Sequence, residues 1–224
     1  MATELAHLRV AVASDQSLVC EAVRAALTER GWSVTVMRWV PDVPQPRQSG
    51  GRRADVALMI SDLDRWGRLR SAVAVMGTMR VPWVVLTSAE RGPLWGAVLE
   101  HGARAVLSSD ASLSAVHEAL LGAADRSLQP PADAAELRAA WRRLHEERQA
   151  LQERVRSLTP REREVLRLLY DGDSVARIAV MFDVSPTTVR SQVKAVLRKL
   201  DVNSQLAAVA AFGHLLELDA PVRS

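Results

Sequence analysis

Short apolar runs alternate with helical patterns of apolar residues over the first half of the chain. The run at 8–13 precedes apolar positions at helical spacing, and that helical pattern stops at Gly31. Near-continuous apolar runs of this kind are typical of parallel strands that are buried on both faces. We predict strands at 8–13, 34–40, 55–60, 81–86 and 103–107, and further helices at 69–76, 94–99 and 113–121.

The predicted order of strands and helices is that of a doubly wound α/β domain. Five strands suit a flavodoxin-like (βα)5 fold with the strand order 2-1-3-4-5, in which binding sites lie at the carboxyl ends of the strands. The segment 41–53 is rich in proline and glycine, so we expect a mobile loop there. The residues at the predicted strand ends are Ser14, Asp15, Ile60, Ser61, Asp62, Thr87, Ser88, Ser108 and Ser109.

A region of different composition follows Pro130 and Pro131. Residues 132–158 contain no helix breaker and are rich in alanine, arginine, glutamate and leucine, which predicts one long helix. Two interpretations of its apolar stripe remain open. The stripe forms a parallel coiled coil between two chains, or it packs on domains of its own chain. Its members, at alternating spacings of four and three, are Leu137, Trp141, Leu144, Arg148, Leu151, Val155 and Leu158.

Capping signals divide the remainder of the chain into four short helices. Thr159 and Glu162, with a proline directly after the threonine, have the order of a capping box. Ser174 opens a second helix, Ser185 opens a third, and Ser204 opens a fourth. The chain is thus divided into an α/β domain at 1–127, a linker helix at 128–157 and an all-α, four-helix domain at 158–224.

The third of these helices has one apolar and one polar face. Val189, Val193 and Val196 recur at the spacing of a buried stripe. A short helix, a tight turn and a second helix with an exposed polar and basic face form a helix-turn-helix, whose second helix fits the major groove of double-stranded DNA. The residues expected to face outward are Thr187, Thr188, Arg190, Ser191, Lys194 and Arg198.

Residues 158–212 resemble the DNA-binding domain of the LuxR/NarL/FixJ regulators, and the α/β domain before them resembles a response-regulator receiver. The resemblance implies that Arg190, Ser191 and Lys194 face base edges or nearby phosphates, and that Thr187 and Thr188 hold phosphate oxygens. Members of the family often dimerise through the helix at 206–212, and the linker helix and the receiver stay open as alternative contacts of a homodimer.

The α/β domain departs from the receiver pattern at the residues that carry phosphoryl chemistry. Phosphoryl transfer to an aspartate needs Mg²⁺ held by oxygen ligands, an acceptor carboxylate and a cation for the phosphoryl group. The resemblance places Ser14 and Asp15 at the acidic pair, Ile60 at the acceptor, Thr87 at the hydroxyl and Ser109 at the lysine. Because Ile60 offers no oxygen, we expect no phosphorylation by the usual route.

Asp62 is the one substitute acceptor near that pocket. It follows the predicted strand end by two residues. We expect Asp62 and Asp64 instead to begin the next helix, where acidic side chains favour the helix dipole. No metal ion or cofactor is expected.

Composition adds little to this picture. The 29 basic and 26 acidic residues leave a net charge of +3, which does not by itself indicate a nucleic-acid partner. Arg190, Lys194, Arg198 and Lys199 lie on one predicted helix, which carries both lysines of the chain. A single cysteine, Cys20, excludes an intrachain disulfide. Without a signal pattern or an apolar run long enough to span a membrane, we expect a cytoplasmic protein.

The sequence favours an atypical orphan response regulator that acts on promoter DNA without aspartyl phosphorylation, with RNA polymerase as a further candidate partner. In the alternative hypothesis, the altered pocket, Trp83, Trp95 and the segment 41–53 bind a small-molecule ligand that changes DNA affinity. An enzyme is not expected, because the five histidines are scattered and no glycine-rich phosphate loop follows the first strand. We therefore assign no catalytic residue.

Overall fold

The computed structural model describes residues 7–39 and 54–219. The chain divides into two compact units, with the boundary between Arg143 and Leu144. Each unit is described by itself. The predicted loop at 41–53 lies outside the described residues. Within the described ranges, no helix combines the length and the apolar character needed to cross a membrane.

The first unit is built on a parallel sheet of five strands. The strand order is β2-β1-β3-β4-β5, which confirms the predicted order. Every residue of β3 and β4 is buried, so both faces of the central strands are covered. The strands are β1 (Arg9–Ser14), β2 (Ser33–Arg38), β3 (Val56–Ile60), β4 (Trp83–Thr87) and β5 (Ala103–Ser108).

Helices cover this sheet. Cys20 is 3% exposed, and burial raises the pKa of its thiol, in keeping with a core position. Trp83 and Trp95 are buried as well, at 2% and 6% exposure. The helices are α1 (Ser17–Glu29), α2 (Trp66–Met76), α3 (Pro93–Glu100), α4 (Leu113–Ala124) and the first turns of α5 (Ala134–Arg156).

The first turns of α5 pack tightly on the first unit. A Cβ atom at Gly96 of α3 would lie 2.0 Å from the carbonyl oxygen of Leu137, so only glycine allows this backbone approach. The rings of Trp66 and Trp141 lie 4.9 Å apart. Arg142 donates two hydrogen bonds to Glu100 Oε1, at 2.8 and 3.1 Å. The helix is therefore anchored by sterics, aromatic contact and charge together.

The second unit contains the predicted four helices. The capping box at Thr159 and Glu162 forms as predicted, and the hydroxyls of Ser174 and Ser185 cap the next two helices. Ser204 Oγ accepts a hydrogen bond from the backbone N–H of Ala207. The helices are α6 (Pro160–Tyr170), α7 (Val175–Met181), α8 (Pro186–Leu200) and α9 (Gln205–Asp219).

Both ends of the apolar stripe on the long helix are packed against residues of the same chain. Leu137 and Trp141 are 7% and 6% exposed within the first unit. In the second unit, Val155 and Leu158 join a core with Leu166 and other residues of α6, α8 and α9. Such contacts are expected from the second of the two interpretations, in which the stripe packs on domains of its own chain.

The contact at Gly96 generates a stability prediction. Gly96→Ala would force α3 and α5 apart, and we expect it to destabilise the first unit by about 2 kcal/mol or more, as overpacking does. Gly77→Ala at the end of α2 is the matched control, because its Cβ would lie 3.4 Å from Ala74 O. Urea unfolding followed by tryptophan fluorescence measures both variants. Equal stability of the two variants would contradict the close approach.

Candidate nucleic-acid interface and receiver pocket

The orientation of α8 is fixed by its buried residues. Val189, Val196 and Leu200 are fully buried, and Val193 is 8% exposed. Ser185 Oγ accepts a hydrogen bond from the Thr188 N–H, which closes the first turn. These contacts leave the opposite face of the helix turned to solvent.

That opposite face carries uncompensated positive charge. Arg190, Lys194 and Arg198 are four residues apart, so they form a row about 12 Å long. Within the part of the chain that the structure describes, none of the three forms an ion pair or a side-chain hydrogen bond, and α8 contains no acidic residue. All six predicted outward residues are exposed, namely Thr187, Thr188, Arg190, Ser191, Lys194 and Arg198.

The hydroxyls at the start of α8 differ in their availability. Thr188 Oγ1 lies 2.9 Å from Ser185 Oγ, and Ser191 Oγ donates to the Thr187 carbonyl at 3.1 Å. The Thr187 hydroxyl has no partner among the described residues. Thr187 is therefore the hydroxyl most readily offered to a phosphate oxygen at this end of the helix.

A tight turn joins α7 to α8. Asp183 adopts a left-handed conformation with φ of 52°, and the Val184 N–H donates to the Ala179 carbonyl at 3.0 Å. The guanidinium of Arg161 lies over the ring of Phe182 at the end of α7. The short helix, the turn and α8 thus form the predicted helix-turn-helix.

Lys199 does not belong to the exposed basic face. Its Nζ lies 2.6 Å from Glu162 Oε2 and 3.3 Å from the Ser157 carbonyl. One residue beyond Arg198, the helix has turned by about 100°, which directs Lys199 toward α6. The four cations do lie on one helix, as predicted, but Lys199 pairs within the domain and stands apart from the exposed row.

The carboxyl ends of the central strands meet at one edge of the sheet. Ser14 of β1 pairs in register with Ile60 of β3, and Thr87 of β4 pairs with Ser108 of β5. Ile60, at the acceptor position, is an apolar residue with 6% exposure. Ser109, at the lysine position, is exposed.

The polar groups of this pocket bind one another. Ser14 Oγ accepts a hydrogen bond from the Gln16 N–H, and Thr87 Oγ1 donates to the Asp62 carbonyl at 3.0 Å. The Asp15 side chain is only 5% exposed. Burial raises the pKa of the Asp15 carboxyl, and the positive charge of Arg68 opposes that rise.

Asp62 lies in the pocket and not at a helix start. Helix α2 begins at Trp66 and has no acidic residue in its first turn, so the expectation that Asp62 and Asp64 begin it was wrong. The chain turns at Leu63, which has a φ of 53°. Asp62 Oδ1 accepts from Ser88 Oγ at 2.7 Å. Its Oδ2 accepts from Gln16 Nε2 at 3.1 Å and from Arg68 Nη1 at 3.0 Å.

Arg68 is the pocket residue that sequence reasoning missed. The predicted helix began at residue 69, whereas α2 includes Arg68 in its first turn. Its guanidinium lies 3.5 Å from Asp15, 3.0 Å from Asp62 and 3.3 Å from Asp64. The spacing of four between Asp64 and Arg68 was the available signal.

The residues present do not fit the Mg²⁺ that a receiver holds. Ser14 and Ile60 remove two of the carboxylates, and a guanidinium lies among the carboxylates that are present. Among the described residues, no group of histidine, cysteine, aspartate and glutamate side chains has the arrangement of a metal site. The arrangement is suited to an internal ion-pair network.

The contact of Lys199 with Glu162 generates a pH prediction. The hydrogen bond from Lys199 lowers the pKa of the Glu162 carboxyl below its usual range. Its contribution to stability is therefore present above the ordinary carboxyl pKa and is lost as pH falls through the lowered one. Lys199→Met should destabilise the second unit by about 1–2 kcal/mol at neutral pH and by less in acid.

Hydrogen exchange of α6 and α8 amides in the full-length protein measures this effect. Lys194→Met is the matched control, because Lys194 is exposed and has no partner among the described residues. A pH-independent loss in Lys199→Met would show that the ion pair is not the cause.

Comparison with known proteins places the chain in a family. Residues 156–212 match the family described as bacterial regulatory proteins, luxR family. The probable transcriptional regulatory protein NarL of Mycobacterium tuberculosis is 31% identical over 206 residues, which cover 91% of this chain and 92% of that protein.

Two further relatives are more distant. The glycerol metabolism activator of Pseudomonas putida is 24% identical over 92% of this chain and 96% of its own length. The solved structure of ChrA, a response regulator of a heme-sensing two-component system, is 24% identical with a TM-score of 0.43, and the match covers 94% of this chain and 98% of that one. On the identity and coverage of the match to NarL, the chain belongs to the LuxR/NarL family of response regulators, which are DNA-binding transcriptional regulators.

Proposed function

We propose that this protein is an atypical orphan response regulator that binds promoter DNA as a homodimer through α8, independently of aspartyl phosphorylation. The observation that carries the proposal is the row of Arg190, Lys194 and Arg198, which are exposed and unpaired among the described residues. This row belongs to a chain whose receiver has a buried isoleucine, Ile60, at the acceptor position.

The exposed face of α8 suits the major groove. Arginine and lysine side chains donate to guanine edges and to phosphates, and an uncompensated row of cations gains from the release of counterions. The burial of the valines under this face fixes the rotation of α8 and so keeps the row turned to solvent. Thr187 supplies a hydroxyl for a phosphate at the helix start.

A homodimer is supported by the way in which helix-turn-helix proteins bind paired half-sites. Two such helices read half-sites about 34 Å apart when two copies are related by a two-fold axis. The resemblance implies dimerisation through the last helix, and α9 exposes Leu206 at 79% and Leu216 at 40%. They are the large apolar side chains that α9 leaves for such a contact.

Independence from phosphorylation is supported by the pocket. Ile60 has no oxygen to accept a phosphoryl group. Both carboxylate oxygens of Asp62, the substitute acceptor, are already bonded to Ser88, Gln16 and Arg68. Ser109 provides no cation at the lysine position.

The ligand-gated alternative has no observation in its favour. Trp83 and Trp95 are buried, and their indole N–H groups donate to the carbonyls of Met76 and Ala89. Neither side chain has a polar group left for a ligand. The segment 41–53, which that hypothesis also invoked, lies outside the described residues.

Substitution of the basic row tests the DNA interface. Arg190→Ala and Lys194→Ala should each weaken DNA binding by about 1–3 kcal/mol where a base contact is lost, with a shallower salt dependence where a phosphate contact is lost. Binding of promoter fragments selected from genomic DNA, titrated by fluorescence anisotropy at several salt concentrations, measures both effects.

Arg167→Ala is the matched control for charge. Arg167 is exposed on α6 and pairs with Asp171, so its loss removes one cation outside the row. The assignment of α8 to the DNA interface would be refuted if Arg190→Ala and Lys194→Ala bound DNA as tightly as Arg167→Ala at fixed salt.

Phosphoryl donors test the second part of the proposal. Acetyl phosphate with Mg²⁺ should leave the protein unmodified by mass spectrometry, because the pocket lacks a free acceptor and a neutralising lysine. DNA affinity should be the same with and without the donor. A stable phosphate that disappears in Asp62→Asn would contradict phosphorylation independence while leaving the DNA interface intact.

A further inference from the structure

Arg68 connects segments that come together only in the folded receiver. Its guanidinium contacts Asp15, which follows β1, and both Asp62 and Asp64, which follow β3. The Arg68 side chain is 19% exposed and that of Asp15 only 5%, so this pair is formed largely out of water, whereas Asp62 and Asp64 are 35% and 44% exposed. Such a pairing is screened less by salt than a surface ion pair.

The pocket contains more negative than positive charge. Three carboxylates surround one guanidinium, and Asp15 Oδ1 is buried without a hydrogen-bond partner among the described residues. This unused oxygen of a 5% exposed carboxylate would be left as a cation ligand if the guanidinium were removed. Arg68 contacts the other carboxylate oxygen of Asp15, Oδ2, at 3.5 Å.

We propose that Arg68 is the resident cation of this receiver: its guanidinium takes the place of the divalent metal and makes the pocket insensitive to it. The inference deepens the phosphorylation-independent function proposed above and rests on it. A guanidinium that is part of the chain cannot dissociate, and it remains charged at all physiological pH values. The negative charge of the pocket is then offset by the same one positive charge in every molecule.

The same arginine fixes the first turn of α2. Trp66 lies two residues before Arg68 in that turn, and its ring packs on Trp141 of α5. Holding Arg68 among the carboxylates therefore also holds the aromatic surface on which α5 rests. The resident cation stabilises the contact between α2 and the linker helix as well as the pocket.

Removal of Arg68 should turn the pocket into a divalent-cation site. Thermal unfolding of the full-length protein is followed in millimolar MgCl₂ or MnCl₂ and in KCl of equal ionic strength. The unsubstituted protein should unfold at the same temperature in all three. Arg68→Ala should unfold at a lower temperature in KCl and gain about 3–5 °C, saturably, with either divalent cation.

Two control variants locate the effect. Arg65→Ala removes a neighbouring cation whose one ion pair among the described residues is with the adjacent Asp64, at 3.6 Å, and it should show no divalent response. The double variant Arg68→Ala, Asp15→Asn should lose the response that Arg68→Ala gains. Hydrogen exchange at 134–143 should be faster in Arg68→Ala than in Arg65→Ala and slow again with Mg²⁺.

Two results would overturn the inference. One is a saturable stabilisation of the unsubstituted protein by a divalent cation. This measurement does not depend on whether any variant folds. The other is a folded Arg68→Ala, or a folded Arg68→Gln with its shorter uncharged polar side chain, that gains no stability from either cation. Because the experiment contains neither DNA nor a phosphoryl donor, its failure is distinct from failure of the proposed function.

Discussion

A carboxylate withdrawn from water needs a counter-charge, and the first unit depends on meeting that requirement at Asp15. Its side chain is 5% exposed, and an isolated buried carboxylate costs several kcal/mol. The sheet brings β1 and β3 side by side, so the loops that follow them open onto the same edge. Helix α2 lies where its arginine reaches both loops. The buried apolar residues of α2 seat the helix, and the pairing of Arg68 with Asp15 fixes its first turn at this edge of the sheet.

In the second unit, apolar packing determines which charges are available. The buried valines of α8 fix its rotation, which leaves Arg198 in solvent and directs the adjacent Lys199 to Glu162. Two neighbouring cations therefore have opposite roles. One belongs to a surface that is suited to DNA, and the other fastens α8 to the start of α6.

Local signals in the sequence predicted the elements well, because they arise from contacts between near neighbours. The capping box at Thr159 and the left-handed turn at Gly31 involve residues at most a few positions apart. The strand order followed from five apolar runs that alternate with helical patterns, because a doubly wound fold of five strands has that order. The outward face of α8 followed from helical periodicity.

The pocket and the ion pairs could not be predicted in the same way. Asp15 and Arg68 are far apart in sequence, and their contact depends on where α2 begins. The predicted helix began at Leu69, whereas α2 begins at Trp66, and this difference alone left Arg68 out of the prediction. Asp62 was expected at a helix terminus because nothing in the sequence marks the left-handed turn at Leu63. Lys199 and Glu162 likewise meet only through the packing of α6 on α8.

The burial of the tryptophans has a consequence for observing the protein. All six lie in the first unit, where each is at most 6% exposed, whereas the one tyrosine, Tyr170, lies in the second unit against Phe212. Ultraviolet light that only indole absorbs therefore excites the first unit alone, including Trp141 at the start of the long helix. The emission of the intact protein reports on that unit, and the helix-turn-helix contributes no indole signal of its own.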